Sequence, residues 1–189
     1  GHVFLLSSAA VYGPAAHAQS EETALAPPGA YGRAKAEMEA SVLAWQQSAA
    51  SGTPGISILR LGNIVGADAL IGQAKGGTVV LDCFADGQTP LRSYIGPATL
   101  ARVLAQLMGQ AAARQALPTC LNIAAPEPVY MHSLCQAAGL DWQPRPAPET
   151  AIARLILDTA RLQRLYDFSA DDSTAAEMIA QWQRMEAGG

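Results

Sequence analysis

The stretch "PPGAYGRAKAEMEA", residues 27–40, lies between two apolar runs and decides how the chain folds. A proline-rich turn leads into alanine, glutamate, methionine and lysine, which all favour a helix. The helix nevertheless opens with Tyr31 and Gly32, although glycine near a helix start costs up to about 1 kcal/mol relative to alanine. Helix stability alone therefore does not account for the first turn, and we infer that the tyrosine serves another purpose.

The residues around this helix predict a strand, helix, strand unit. Residues 2–6 read as a short buried strand, and residues 56–59 form a second continuous apolar run typical of a parallel sheet covered on both faces. Connection rules place two such strands parallel in one sheet. The helix between them is predicted to be amphipathic and to pack on one side through apolar residues three or four apart. These residues are Ala34, Met38, Val42 and Trp45.

The rest of the chain is less regular. Residues 13–30 read as a surface loop and residues 142–150, which hold three prolines, as a linker-like crossing. The apolar patterns predict strands at 78–84 and 121–124 and helices at 98–113, 131–138, 158–166 and 174–185.

Composition excludes several classes of protein. The chain has 189 residues, a net charge of −4 and scattered basic residues, so it lacks the clustered positive face that nucleic acid requires. Its three cysteines show neither a CxxC nor a Cys/His ligand spacing, which predicts no metal site and no disulfide framework. A reducing, cytoplasmic setting fits best, and no apolar run reaches the roughly 20 residues of a membrane span. The competing interpretation is a secretory signal over residues 3–18.

Tyr31 and Lys35 are the first candidates for chemistry. Four residues apart on a helix, they share a face and lie about 6 Å apart along its axis. An ammonium at that distance stabilises a phenolate, which favours general-base work by the tyrosine. Taken alone, the pair is better explained as an aromatic residue packed on a loop with a solvated lysine behind it.

The surrounding motifs decide between these interpretations. "LLSSAAVYG" (5–13), "YGRAK" (31–35) and "LRLGNIVG" (59–66), in this order, resemble the extended short-chain dehydrogenase/reductases of the NAD-dependent epimerase/dehydratase family. Such proteins open with a glycine-rich turn that binds the dinucleotide pyrophosphate, and no G-x-G-x-x-G stands at the front of this sequence. We therefore interpret the chain as the C-terminal part of a family member, with about a third of the protein expected before Gly1.

The resemblance implies an α/β fold. It consists of the C-terminal strands of a partial Rossmann-like parallel sheet and a small mixed α/β substrate-binding region. Residues 1–66 are assigned to the NAD(P)-binding domain, and residues 67–189 to the substrate-binding region with interleaved Rossmann elements.

The resemblance also implies roles for single residues. Tyr31 is the catalytic acid/base, Lys35 bonds the nicotinamide ribose and tunes the tyrosine, and Ser8 orients the reacting hydroxyl or carbonyl. Leu61 and Asn63 lie where relatives contact the cofactor, Asn63 also where they contact the sugar nucleotide. Ser7 is a weaker cofactor candidate. For Ser8 the alternative is a hydroxyl that satisfies a turn, and for Asn63 an ordinary loop residue.

Two arginines are candidates for the substrate diphosphate. "GQTPLRSYIGPATLA" (87–101) resembles the family's Arg-Asp-Tyr-Ile stretch, so Arg92 is the first candidate, since a guanidinium suits paired phosphate oxygens. Ser93 replaces the acid found in relatives, which puts the substrate more in doubt than the fold. Arg145 is the second candidate, with an ordinary linker arginine as the alternative.

The function that follows is an enzyme using NAD or NADP, NAD being favoured, to transfer hydride at a secondary alcohol of a nucleotide-sugar. Ala9 and Ala10 stand where sugar dehydratases of the family carry an Asp-Glu pair, which disfavours elimination. Relatives often dimerise through the Tyr-x-x-x-Lys helix, so a homodimer is expected. Two alternatives are open: a reductase of a non-nucleotide carbonyl, and a noncatalytic or inert fragment.

Overall fold

The computed structural model describes residues 1–48, 50, 52–72 and 78–188. The strands are β1 (His2–Ser8), β2 (Gly55–Leu61), β3 (Asn63–Ile64), β4 (Val79–Cys83), β5 (Leu91–Arg92), β6 (Tyr94–Ile95), β7 (Cys120–Ile123), β8 (Val129–Tyr130), β9 (Trp142–Pro146) and β10 (Arg154–Leu155). The helices are α1 (Ala30–Ser48), α2 (Pro97–Ala112), α3 (Met131–Ala137), α4 (Ala160–Gln163) and α5 (Ala175–Ala187). Short 3-10 turns cover Ala9–Val11 and Ala170–Ser173.

A parallel sheet with the order β1-β2-β7 carries the first part of the fold. The predicted unit of strand, helix and parallel strand is thereby confirmed, because α1 connects β1 to β2. The central strand β2 is buried, with Ile58 and Leu59 fully covered. By contrast, β1 is an edge strand within the described residues, and the prediction that it is buried is wrong for Val3 and Leu6, which are 46% and 51% exposed.

Smaller sheets complete the structure: β10-β5-β8, β3-β6 and β4-β9. One apolar cluster gathers around Tyr94, Leu134 and Met178, and another joins β2, β7 and α2 through Leu59, Leu121 and Leu107. Since β7 belongs to the main sheet although it lies far beyond residue 66, elements of the two assigned regions interleave. The division at residue 66 stays a prediction.

The packing of α1 differs from the sequence prediction. Ala34 and Trp45 are exposed, and Met38 and Val42 are only half-buried. The residues that α1 buries fully are Gly32 and Glu39. The helix therefore meets the sheet through a glycine contact and a charged group rather than through an apolar row.

Gly32 is required by a close backbone approach. A Cβ at this position would lie 2.0 Å from the Ala10 carbonyl oxygen and 2.9 Å from the Pro27 Cβ. No real Cβ atom comes so near, so any other residue would push the start of α1 away from the turn that follows β1. This contact accounts for the glycine that sequence propensity left unexplained.

The segment 142–146 is a strand rather than the predicted linker. It forms β9, which pairs in parallel with β4 over its whole length, from Trp142 opposite Val79 to Pro146 opposite Cys83. Proline donates no backbone hydrogen bond and is therefore confined to edge strands. Because β9 lies at the edge of a two-stranded sheet, its prolines can be accommodated there.

The loop before α1 is tied to the far end of the chain. The Gln19 backbone N–H donates to the Ile156 carbonyl at 2.8 Å, and the Asp158 N–H donates back to Gln19 at 2.9 Å. Arg161 forms ion pairs with Glu21 and Glu22 of the same loop. The predicted surface loop is therefore anchored to residues 156–161. The helix predicted at 158–166 is shorter in the structure, where α4 covers only Ala160–Gln163.

A buried polar cluster joins α2 to α5. The Thr99 hydroxyl donates to Asp172 at 2.6 Å, and Arg102 pairs with the same carboxylate at 2.8 Å. Gln181 on α5 accepts the backbone N–H of Thr99 at 3.0 Å. Burial alone would raise the pKa of Asp172, but the bonds from Thr99 and Ser169 and the charge of Arg102 outweigh it and lower that pKa.

We predict that Gly32→Ala lowers the free energy of unfolding by about 1–3 kcal/mol, because the added methyl collides with the Ala10 carbonyl. Urea denaturation measures the change. Gly109→Ala is the matched control: it lies in α2 with no atom within 4 Å of its added Cβ, so a gain of about 0.5–1 kcal/mol is expected. Equal effects of the two substitutions would contradict the close contact.

Asp172 is predicted to contribute to acid sensitivity. Because its folded-state pKa is lowered, its stabilisation is complete above the unfolded pKa of about 4 and is lost as the pH falls below it. Asp172→Asn should cost about 1–3 kcal/mol at pH 7 and distinctly less at pH 3, measured by urea denaturation. Asp171→Asn, at the exposed neighbouring position, should have no effect at either pH.

Candidate active site

The carboxyl end of β1 carries the two serines of the sequence prediction in different settings. Ser8 is half-buried, and its hydroxyl oxygen accepts the Ala10 N–H at 3.2 Å, which caps the following 3-10 turn. The capping role weighed as the alternative for Ser8 is thus present. A serine hydroxyl can accept and donate at once, so the Ser8 proton is still free for a ligand oxygen.

Ser7 faces the interior. Its side chain is buried, and its hydroxyl donates to the Glu39 carboxylate on α1. The hydroxyl is therefore not offered to a cofactor, and of the two serines only Ser8 presents a donor near the surface.

Tyr31 and Lys35 lie on the first two turns of α1, as the spacing predicts. The Lys35 ammonium is 5.9 Å from the centre of the Tyr31 ring and donates to the Leu6 carbonyl of β1 at 2.9 Å. Tyr31 is 62% exposed, and its hydroxyl has no hydrogen bond to any described residue. The adjacent Gly32 lies against Ala10, two residues after Ser8, so phenol, ammonium and serine hydroxyl all belong to one end of β1.

A buried ion pair lies beneath these residues. The Arg60 guanidinium of β2 donates through Nε and through the terminal nitrogen to the Glu39 carboxylate, the latter at 2.7 Å. Both side chains are less than 10% exposed. Burial alone would lower the pKa of Arg60, but the hydrogen bonds to Glu39 and Tyr12 raise it above its ordinary value. Sequence analysis singled out neither partner.

Tyr12 continues this network toward β7. Its hydroxyl accepts from Arg60 at 2.8 Å and donates to the Asn122 side chain at 2.8 Å. Burial raises the pKa of Tyr12 to about 12, so it stays a neutral phenol at physiological pH. Asn122 in turn donates to the Gln19 carbonyl of the loop before α1. Tyr12 is part of the quoted "LLSSAAVYG" motif, and no other feature of the sequence indicated its role in the buried network.

Leu61 and Asn63 follow the end of β2. Leu61 is half-buried against the apolar cluster around Leu59. Asn63 is also half-buried, and its backbone N–H donates to the Ser93 carbonyl at 2.9 Å. Their side chains are partly accessible at the carboxyl edge of the sheet, so their assignment to the cofactor stays a prediction.

Of the two candidate arginines, Arg145 pairs with a carboxylate, whereas the hydrogen bonds of Arg92 go to backbone carbonyls. Arg145 donates to Asp82 at 2.7 Å across the β4 and β9 pair. Burial lowers the pKa of Arg92, and the nearby Asp82 charge opposes that lowering. Arg92 also donates to the backbone carbonyls of Leu91, Ile152 and Ala153. Part of its guanidinium is therefore engaged in the fold, whereas Arg145 is 60% exposed and keeps free donors.

A cleft of about 500 Å³ opens beside Arg145 at the carboxyl ends of β4 and β9. The cleft is mainly apolar, and Arg145 is the one charged residue among the described residues that line it. Its lining comprises Cys83, Phe84, Ala85, Pro144, Arg145, Pro146 and Ala147. Sequence analysis did not identify this cleft, because β9 was not recognised as a strand.

The described residues contain no group of three histidine, cysteine or acidic side chains placed to hold a metal ion. Among the same residues, no helix combines the length and the apolar character needed to cross a membrane.

The N-terminal part of the chain is similar to a known protein family. Residues 1–89 match the NAD dependent epimerase/dehydratase family. No curated protein sequence matches the chain significantly.

Solved structures share the fold. UDP-glucose-4-epimerase from Stenotrophomonas maltophila, solved with NAD and formylated UDP-arabinopyranose, is 23% identical, with a TM-score of 0.74 over 99% of this chain and 64% of that one. UDP-glucuronic acid 4-epimerase from Bacillus cereus is 14% identical, with a TM-score of 0.75 over 100% of this chain and 62% of that one. The NDP-hexosamine 5,6-dehydratase TunA of tunicamycin biosynthesis is 20% identical, with a TM-score of 0.71 over 97% of this chain and 63% of that one. At these identities the likeness concerns the fold alone.

The chain thus spans less than two thirds of the length of these three structures while being matched almost entirely itself. This confirms a partial Rossmann-like α/β fold. Residues 1–89 thus match the NAD dependent epimerase/dehydratase family, and the whole chain shares its fold with the solved sugar-nucleotide epimerases and the dehydratase named above.

Proposed function

We propose that the protein transfers hydride between NAD(P) and a secondary alcohol of a nucleotide-sugar, as an epimerase or dehydrogenase. The observation that carries this proposal is the position of Lys35, bound to the Leu6 carbonyl and 5.9 Å from the Tyr31 ring at the carboxyl end of a parallel strand. That edge is where open α/β sheets bind ligands.

Each residue has a defined part in this reaction. Tyr31 takes the proton of the substrate hydroxyl, and its exposed phenol is free to reach it. Ser8 donates a hydrogen bond from its hydroxyl group to the substrate oxygen. Lys35 places a positive charge beside the phenol, which stabilises the phenolate during proton transfer.

The donors at this edge suit a nicotinamide dinucleotide. Lys35 uses one of its three N–H donors on Leu6, and two are left for the hydroxyls of a ribose. The bound dinucleotide supplies the hydride acceptor and donor. We favour NAD over NADP, since several solved relatives were crystallised with NAD.

Hydride chemistry is favoured over elimination of water. Ala9 and Ala10 occupy the turn directly after Ser8, and Gly32 packs on the Ala10 carbonyl. Elimination needs an acid and a base of its own, and methyl side chains at this turn supply neither.

For the substrate we propose a nucleotide-sugar whose diphosphate lies near Arg145. The free donors of Arg145 and the adjacent cleft support this choice, as do solved relatives that hold UDP-sugars. A guanidinium binds paired phosphate oxygens through its fork of donors.

A reductase of a non-nucleotide carbonyl is the second candidate. It is favoured by Arg92, which is partly engaged with the carbonyls of Ile152 and Ala153 and so is less free to bind a diphosphate. A panel of UDP-sugars, GDP-sugars and free carbonyls decides between the two, because turnover of free carbonyls alone would select the reductase.

We also propose a cytoplasmic setting and a homodimer. Free thiols at Cys83, Cys120 and Cys135 agree with a reducing compartment. The exposed apolar residues of α1, including Trp45 at 50% exposure, support a partner surface on that helix.

Tyr31→Phe in the full-length gene product should lower kcat for the nucleotide-sugar by about 10²–10⁴-fold, since the acid/base is lost while the ring is kept. The KM should change little. Absorbance of the reduced cofactor, or product analysis for an epimerase, measures the rate. Tyr130→Phe is the matched control and should leave kcat unchanged. Full activity of Tyr31→Phe would refute the assigned chemistry.

Dinucleotide binding tests how much of the site this chain holds. The sequence contains no G-x-G-x-x-G turn, so residues 1–189 alone should bind NAD+ and NADH only weakly. Calorimetric titration of this chain, compared with a longer gene product if one is encoded upstream, measures the difference. Tight binding by residues 1–189 would show that no further phosphate-binding turn is needed.

A further inference from the structure

We infer that Glu39 and Arg60 are positioning residues that set the direction in which Tyr31 and Lys35 point. This inference rests on the proposed function, because it names the groups that hold its acid/base in place. Neither Glu39 nor Arg60 reaches the surface, so neither touches substrate or cofactor. They act through the helix that carries the reacting groups.

The spacing along α1 couples the ion pair to the site. Tyr31, Lys35 and Glu39 stand four residues apart in succession, so they lie on adjoining turns of one helix face. A helix rotates as a rigid body about its axis. Whatever fixes the rotation of α1 at Glu39 therefore fixes the direction of Lys35 and Tyr31 one and two turns earlier.

The carboxylate of Glu39 is held from two strands at once. Ser7 on β1 donates to one of its oxygens, and Arg60 on β2 donates through two nitrogens. A guanidinium that binds through a fork of two donors fixes orientation as well as distance. Arg60 is itself held by the Tyr12 hydroxyl and by the Glu21 carbonyl at 3.1 Å.

Besides the ion pair and the Lys35 bond to β1, α1 is held on this side by small or partly buried residues such as Ala36. Its fully buried residues are Gly32 and Glu39, and Gly32 has no side chain to interlock with the sheet. An apolar pair of similar volume packs as well as a buried ion pair and often gives a more stable protein. Retaining the charges at this point therefore fits a requirement for orientation better than one for stability.

The test compares Glu39→Gln with Asp172→Asn in the full-length gene product, below the unfolding temperature of both. Asp172 is also a buried carboxylate in an ion pair, but its partner Arg102 is 52% exposed, and the pair joins α2 to the 3-10 turn Ala170–Ser173 rather than to α1. We expect Glu39→Gln to lower kcat about a hundredfold, because a displacement of about 1 Å at the reacting groups is enough for such a loss. The KM should stay close to that of the wild type. Asp172→Asn should keep the wild-type kcat.

The conservative variant Glu39→Asp keeps the charge and should recover part of the lost kcat. A crystal structure of Glu39→Gln gives a readout independent of turnover: the Lys35 ammonium should no longer lie within hydrogen-bond distance of the Leu6 carbonyl. If that bond persists, the inference is overturned whatever the activity.

The outcomes separate the inference from the proposed function. If the wild type shows no hydride transfer, the proposed function fails, and the crystal structure still decides the positioning role. If the wild type is active and Tyr31→Phe is not, while Glu39→Gln matches Asp172→Asn in kcat, the proposed function stands and the inference is wrong.

Discussion

The buried ion pair between Glu39 and Arg60 is the constraint on which the rest of the N-terminal half depends. It joins α1 to β2, and through Ser7 and Tyr12 it reaches β1 and the side chain of Asn122 on β7. Charges removed from water must be fully matched, since an unpartnered one costs several kcal/mol. The fold meets this demand by surrounding one carboxylate and one guanidinium with donors and acceptors from every neighbouring element.

Sequence patterns predicted the order of elements here better than the burial of their faces. The apolar runs gave β1 and β2, and four-residue spacing placed Tyr31 and Lys35 together, because both depend only on local geometry. The buried side of α1 was predicted wrongly, since periodicity assigns glutamate to solvent unless its partner is known. Arg60 is that partner, and only the folded sheet brings it to Glu39.

The region around Arg92 and Arg145 was also predicted incompletely, because its contacts join segments that are distant in the sequence. Arg92 was identified from its motif, yet its contacts with the carbonyls of Ile152 and Ala153 depend on chain sixty residues away. Three prolines made residues 142–150 look like a linker, because the rule that excludes proline from strands holds for interior strands and not for an edge. Recognising β9 required its pairing with β4, and without β9 the cleft beside Arg145 had no visible wall.

The attachment of the loop before α1 bears on how the protein matures. Arg161 and Glu22, which form an ion pair, are 139 residues apart in the sequence. Gln19 forms an isolated parallel β-bridge with Leu157. On a ribosome that releases the chain from its N-terminus onward, these contacts form only after residues 157–161 have emerged. Tyr31 is thus translated well before residues 156–161, which hold the loop that leads into its helix.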